Sequence, residues 1–357
     1  MTPELPDRQT RLARTLTRLQ EISRQRFGCN AAPYLLTDKG LAHDHVAMPG
    51  TGLLFRVPKQ SQMEFAAADN LAFQAECFRR AAASGAAPAV HDIVEPDEVL
   101  PFGALVVEHV EGRPARLPAD LPAIADCLAA IHALPLPGEC APLGVFRNAL
   151  AGILAEVGRQ AEHLDHPGVP AASRRLIREE ISDLGRDAAT GAAALCLITF
   201  DAHPGNYLIR PDGSAVIVDL EKMRYSAPGF DLAHASLYTS TTWDIETRAE
   251  LAPAEAAGFY RAWLAAVPPG LRDAARPGLV AERRGMWLWS VTWCARWLAE
   301  SAGGADHGST RDWSKHLSDD VLTRHVADRV ADYLSPDSVE RVREDWRQGG
   351  WMEEFTG

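Results

Sequence analysis

Nowhere do the 357 residues hold an apolar run approaching the ~20 residues that cross a bilayer, so no helical membrane span is expected. Residues 1–26 are studded with Arg, Asp and Glu and offer no apolar centre for a secretion signal. No signal peptide and a cytoplasmic location are therefore expected. Cysteines at metal-ligand spacing are also missing. Cys29, Cys77, Cys127, Cys140, Cys196 and Cys294 are scattered without a CxxC or Cys/His pattern, which predicts six reduced thiols in place of disulfides or zinc. Basic charge is short: 36 Lys and Arg face 48 Asp and Glu, leaving −12 at pH 7. That balance argues against nucleic acid and anionic membrane as main partners, because both reward a basic face. It suits a cationic substrate and serves solubility equally well. There is no internal repeat, and no low-complexity tract beyond Ala-rich helices.

What is present is ample material for a core, since 46% of the residues are hydrophobic and the length allows one large or two medium domains. Leu12, Leu16, Leu19 and Ile22, spaced by four and three, predict an amphipathic opening helix over residues 8–26. The period then changes to two. Tyr34-Leu35-Leu36, Asp44-His45-Val46-Ala47-Met48 and Leu53-Leu54-Phe55-Arg56-Val57 predict three short strands, the last two joined at Pro49-Gly50-Thr51-Gly52 by a turn that needs glycine at positive φ. Asp69-Asn70 is expected to cap a helix running through Phe73, Glu76, Cys77 and Arg80. Strands near residues 89–94 and 104–110 complete this region. From Leu121 onward helical patterns dominate, with Pro135, Pro137 and Pro142 marking a linker.

The chemistry is concentrated in Thr199-Phe200-Asp201-Ala202-His203-Pro204-Gly205-Asn206, a hairpin turning at Pro211-Asp212-Gly213, and Val218-Asp219-Leu220-Glu221. Taken singly, these are a turn Asp, a turn Asn and a strand-end Asp. Taken together, an Asp, an Asn five positions on and a second Asp after a hairpin are the groups phosphoryl transfer requires. The first Asp orients and deprotonates an attacking hydroxyl, while an amide oxygen and a second carboxylate hold the Mg²⁺ that neutralises a triphosphate.

These motifs, followed by Gly229-Phe230-Asp231-Leu232-Ala233, resemble the aminoglycoside phosphotransferase and choline kinase superfamily. Similarities in family order extend over most of the chain: Leu54-Phe55-Arg56-Val57-Pro58, Glu76, Val107-Glu108-His109-Val110-Glu111-Gly112-Arg113, and Leu128-Ala129-Ala130-Ile131-His132. The resemblance implies an α+β, two-lobed protein-kinase-like fold. Residues 1–112 would form a small N-terminal mixed-sheet lobe, residues 113–357 a larger, mainly helical lobe, with ATP in the cleft. It further implies Asp201 as catalytic base, Asn206 and Asp219 as Mg²⁺ ligands, Arg56 at the α/β-phosphates with Glu76 as its helix partner, and Asp231 bracing the catalytic loop. Backbone groups around Glu108 and Val110 would receive adenine. The sequence departs from the family's usual His-Gly-Asp at Thr199-Phe200-Asp201, which bears on support of the loop more than on its chemistry. Glu221 stands two residues after Asp219 as in choline-kinase-like members and is the candidate for a second Mg²⁺. No glycine-rich phosphate loop of the protein-kinase type is present, so Lys39 and Gly40 are expected to serve with nearby amides.

The remaining signals admit plainer readings. Lys59 competes with Arg56 for the phosphate role. His203 reads as a loop-shaping residue, and alternation sends His43 and His45 to one strand face and Asp44 to the other. Trp289, Trp293 and Trp297, preceded by Trp287, form a stripe that suits either a helical core or an aromatic wall for an ammonium group. Asp244, Glu246 and Glu300 are candidate carboxylates for an amine. The expected activity is ATP- and Mg²⁺-dependent phosphorylation of a small-molecule hydroxyl, most naturally on an aminoglycoside or an amino alcohol such as choline or ethanolamine. Homoserine, sugar or thiamine kinases, and a nucleotide-binding pseudokinase, are the alternatives.

Overall fold

The computed structural model describes residues 8–36, 43–59, 65–187, 194–302 and 320–356. The chain divides into two compact units. One gathers the described residues of Met1–Ala82, Pro88–Val110 and Gly304–Thr323; the other gathers those of Ala83–Ala87, Glu111–Gly303 and Arg324–Gly357.

The first unit opens with α1 (Arg8–Phe27), whose Leu19 and Ile22 are buried with Val46, Phe55 and Val106, as the spacing of its leucines predicts. The strands β1 (Tyr34–Leu35), β2 (His43–Met48), β3 (Leu53–Pro58), β4 (Val90–Val94) and β5 (Ala104–Glu108) form a sheet in the order β1-β2-β3-β5-β4. Every neighbouring pair runs antiparallel, where the sequence reading has a mixed sheet; for β2–β3 and β4–β5 the short connection between successive strands dictates it. Gly50 and Gly52 take φ of 74° and 70° in the β2–β3 turn, the conformation that selects glycine there. The helix α2 (Ala67–Ala82) begins earlier than expected. Asp69 therefore lies inside its first turn, where its charge meets the exposed N–H groups, and Asn70 is buried; neither caps the helix.

In the second unit, α3 (Leu121–His132), α4 (Ala149–Ala161) and α5 (Ala171–Asp187) precede the catalytic stretch. That stretch is carried by short strands. The first, β6 (Arg113–Pro114), pairs with β8 (Tyr207–Ile209), which pairs with β9 (Ala215–Ile217), while β7 (Cys196–Ile198) pairs with β10 (Arg224–Ser226), all antiparallel. Helices α6 (Gly229–Ser236), α7 (Tyr238–Thr241), α8 (Pro253–Ala266), α9 (Pro269–Ala275), α10 (Leu279–Ala302), α11 (Asp320–Tyr333) and α12 (Pro336–Arg343) follow. The long α10 packs against α4, α5 and α6. A buried carboxylate, Glu180 of α5, binds Arg284 of α10 at 2.9 Å and Arg343 of α12 at 2.8 Å, so its charge is saturated and three helices are tied together.

Candidate active site

The strand β7 delivers the chain to Thr199 and Phe200, and the backbone there is held from behind. Asp231, in α6 and fully buried, accepts the N–H of Thr199 on one carboxylate oxygen and the N–H of Phe200 on the other, both at 2.7 Å. His132 of α3 contacts Asp231 Oδ2 at 3.1 Å, and the indole N–H of Trp263 donates to His132 Nδ1 at 3.0 Å. The bracing role that the resemblance implies for Asp231 has these contacts as its physical content. Phe200, at the position of the family's usual glycine, adopts φ of 58°. A non-glycine residue there carries strain of roughly 1–3 kcal/mol and persists when its surroundings over-determine it. Here the Arg224 guanidinium lies 3.6 Å from the ring centroid, Trp289 and Phe230 pack edge-on, and Glu156 binds both Arg224 and the Trp289 N–H.

Beyond the turn, Asp201 is 8% exposed. Lys222 Nζ donates to its Oδ2 at 2.8 Å, and His234 Nδ1 lies 3.8 Å from its Oδ1. Burial pushes this carboxyl up, but Lys222 first and then His203 and His234 pull it down further, leaving it below the usual carboxylate range. Burial likewise works against the Lys222 ammonium and is outweighed by Asp201, Glu221 and Asp219, so the lysine is held charged. Burial dominates at His234, lowering it to about 4, so this imidazole is neutral at neutral pH.

Asn206 ends a short 3₁₀ turn (Pro204–Asn206) and donates its Nδ2 to the main-chain oxygen of Asp201 at 2.8 Å. With the amide nitrogen turned to the loop, the amide oxygen is the end left to meet a ligand. The Asn206 carbonyl accepts the N–H of Val218 at 2.9 Å, which ties the loop to the residue before Asp219. Glu221 is buried two residues further on. An amide oxygen and two carboxylates, without sulfur, are the donor chemistry of a hard divalent cation such as Mg²⁺.

The tryptophan stripe divides between the two readings. Trp287 is fully buried against Trp346, and Trp297 is buried as well. Trp289 instead reaches the catalytic loop, 5.8 Å from Lys222 Nζ and edge-on to His234. Trp293 packs edge-on to Trp243 at 5.6 Å. Asp244, next along, lies against the loop itself: a Cβ on Gly205 would stand 2.7 Å from the Asp244 Cβ, so glycine is required there by close approach. Glu300 is ion-paired with Arg296 at 2.6 Å, and Glu246 is exposed.

In the first unit, Arg56 is buried on β3 over the Phe78 ring, its Nη1 3.5 Å from His45 Nε2. Among the described residues Glu76 pairs with Arg80 of its own helix at 2.7 Å rather than with Arg56. Lys59 meets Asp44 at 3.4 Å, and His43 meets Gln74 at 3.2 Å. The Glu108 N–H donates to the Ala89 carbonyl at 2.9 Å, and Val110 is buried. Lys39 and Gly40 lie outside the described residues. Sequence reasoning missed Lys222, His234 and Trp243. A signal existed for His234, three residues after Asp231 and so on the same side of α6. It also existed for Lys222, adjacent to Glu221.

An aspartate held ionised in a braced loop, with an asparagine and two carboxylates beside it, defines a kinase-type phosphotransferase. The chain belongs to the phosphotransferase enzyme family, which it matches over residues 49–273. Among solved structures it is similar to a choline/ethanolamine kinase family protein from Mesorhizobium loti, at 18% identity over 90% of this chain and 99% of that one, with a TM-score of 0.57. It is also similar to the GDP complex of aminoglycoside 2'-phosphotransferase-IIIa, at 16% identity over 89% and 99%, TM-score 0.57. A third is an ethanolamine kinase from Plasmodium vivax, at 12% identity over 92% and 90%, TM-score 0.56. These likenesses establish the kinase-like α+β fold expected from the sequence. No curated protein matches the sequence. Among the described residues no helix is long and apolar enough to cross a membrane.

Proposed function

We propose that the chain is an ATP- and Mg²⁺-dependent kinase that transfers the γ-phosphate to a hydroxyl of a small amine-bearing molecule, an amino alcohol of the choline or ethanolamine kind or an aminoglycoside. The observation that carries this reading is Asp201, ionised and sheltered, with one carboxylate oxygen held by Lys222 and its main-chain carbonyl held by Asn206. Its other oxygen takes the proton of the acceptor hydroxyl. The acceptor oxygen bonds to the γ-phosphorus as the bond from that phosphorus to its bridging oxygen breaks, the electron pair leaving on ADP. Asn206, Asp219 and Glu221 would hold Mg²⁺, which when bound neutralises triphosphate charge. The nucleotide-binding roles expected of Arg56, Glu76, Glu108 and Val110 belong to the same reading.

Support for an amine comes from Trp243 and Trp293, with Asp244 packed on the catalytic loop. Indole faces attract ammonium groups, and a carboxylate adds charge pairing. The fold relatives named for ethanolamine and aminoglycosides point the same way by analogy. The test is ADP release with choline, ethanolamine and aminoglycosides, set against homoserine, a sugar and thiamine. Asp201→Asn is expected to lower kcat by about 10²–10⁴-fold. A protein that binds ATP yet releases no ADP above background with any acceptor would sink the enzyme reading.

A further inference from the structure

Among the described residues Lys222 is the cation that hydrogen-bonds the base, and no motif read from the sequence accounts for it. Its ammonium donates to Asp201 Oδ2 at 2.8 Å and stands 5.8 Å from the Trp289 ring centroid, on a side chain only 20% exposed. An ammonium has three N–H donors. Among the described residues one of them has a hydrogen-bond acceptor, Asp201, so two remain for an incoming group. Leaving donors of a sheltered charge unmet is costly, which is the condition under which a ligand's oxygens are drawn in. The position is also rigid. Met223 N–H closes a turn onto Leu220 O at 3.3 Å, and two residues after Lys222 the Arg224 guanidinium is fixed by Glu156 and Phe200.

We propose that Lys222 is a catalytic residue that touches the transferring phosphoryl group, one N–H holding Asp201 Oδ2 while another donates to a γ-phosphate oxygen. The inference rests on the kinase reading above. A hydroxyl bound to the free oxygen of Asp201 brings the phosphorus it attacks beside the same carboxylate, and the ammonium at the second oxygen then faces the equatorial oxygens. Charge aimed at those oxygens in a sheltered site is what lowers the barrier of this reaction class. The proton of the hydroxyl still goes to Asp201, and Lys222 keeps its own.

The proposal predicts that Lys222 senses the third phosphate and no other part of the nucleotide. Calorimetric titration of the full chain with Mg²⁺-AMP-PNP and with Mg²⁺-ADP separates the two, without any acceptor. Lys222→Met is expected to weaken AMP-PNP by about tenfold or more while ADP stays within about twofold, and Lys222→Arg to restore most of the loss. Asp201→Asn, which keeps the ammonium, retains the preference for AMP-PNP. Should Lys222→Met fail to fold in a melting experiment, Lys222→Gln makes the same comparison. Equal weakening of both nucleotides, or none, overturns the assignment and leaves Lys222 as a partner of Asp201 alone. A wild-type protein that binds neither nucleotide removes the kinase reading itself, a different failure.

Discussion

Trp263 donates its indole N–H to Nδ1 of His132, and that one bond decides which ring nitrogen faces Asp231. Indole is a donor only, so Nδ1 must be the unprotonated nitrogen and Nε2–H is left to donate to Asp231 Oδ2 at 3.1 Å. The carboxylate so supplied takes the N–H groups of Thr199 and Phe200. With Thr199 where the family usually has histidine, support of the loop comes from α3, α6 and α8.

Trp263→Phe keeps most of the ring and removes the donor. It is expected to cost about 1–3 kcal/mol in urea unfolding, with His132→Ala costing more because it also leaves a cavity. An unchanged midpoint in Trp263→Phe would show that the relay contributes nothing.

Two buried groups tilt stability in opposite directions with pH. Burial raises the Glu282 carboxyl to about 8 even though it accepts the Gly229 N–H. The folded state therefore holds a proton that the unfolded chain releases near its usual 4.5, and stability falls as pH rises through that window. His234, lowered to about 4 from 6.5, does the reverse: the unfolded chain takes up the proton first, and stability falls as pH drops from 6.5 toward 4. A gap of one pH unit between folded and unfolded titration is worth about 1.4 kcal/mol, so both limbs are measurable. Unfolding free energies across this range are expected to show a flattened alkaline limb in Glu282→Gln and a flattened acid limb in His234→Gln.

If the Trp243 and Trp293 pair receives the acceptor's ammonium, Trp293→Ala raises KM for amine acceptors by about tenfold and spares kcat. Initial rates with a charged and a neutral acceptor provide the check. An equal rise for both would assign the indoles to shape alone.

Local signals were legible wherever a short segment decides its own structure. The leucine spacing of α1 and the glycines of the β2–β3 turn both appear as predicted. The start of α2 is not legible locally, because Asp69 is nearly as favourable inside a first turn as before it, and the helix begins at Ala67. Strand direction in the first sheet is not legible in the sequence, because residue pattern marks strands and not their partners.

By itself, the sequence determined the family, and the bonds of Asp201 and Asn206 in one loop follow from it, because those groups act at fixed short spacing. The tertiary structure alone brought Lys222, 21 positions away, onto the base and His132, 99 positions away, onto its brace. It also split the tryptophan stripe between core and catalytic loop. Successive turns of α10 meet different neighbours, and a helical period reports a shared face without saying what faces it.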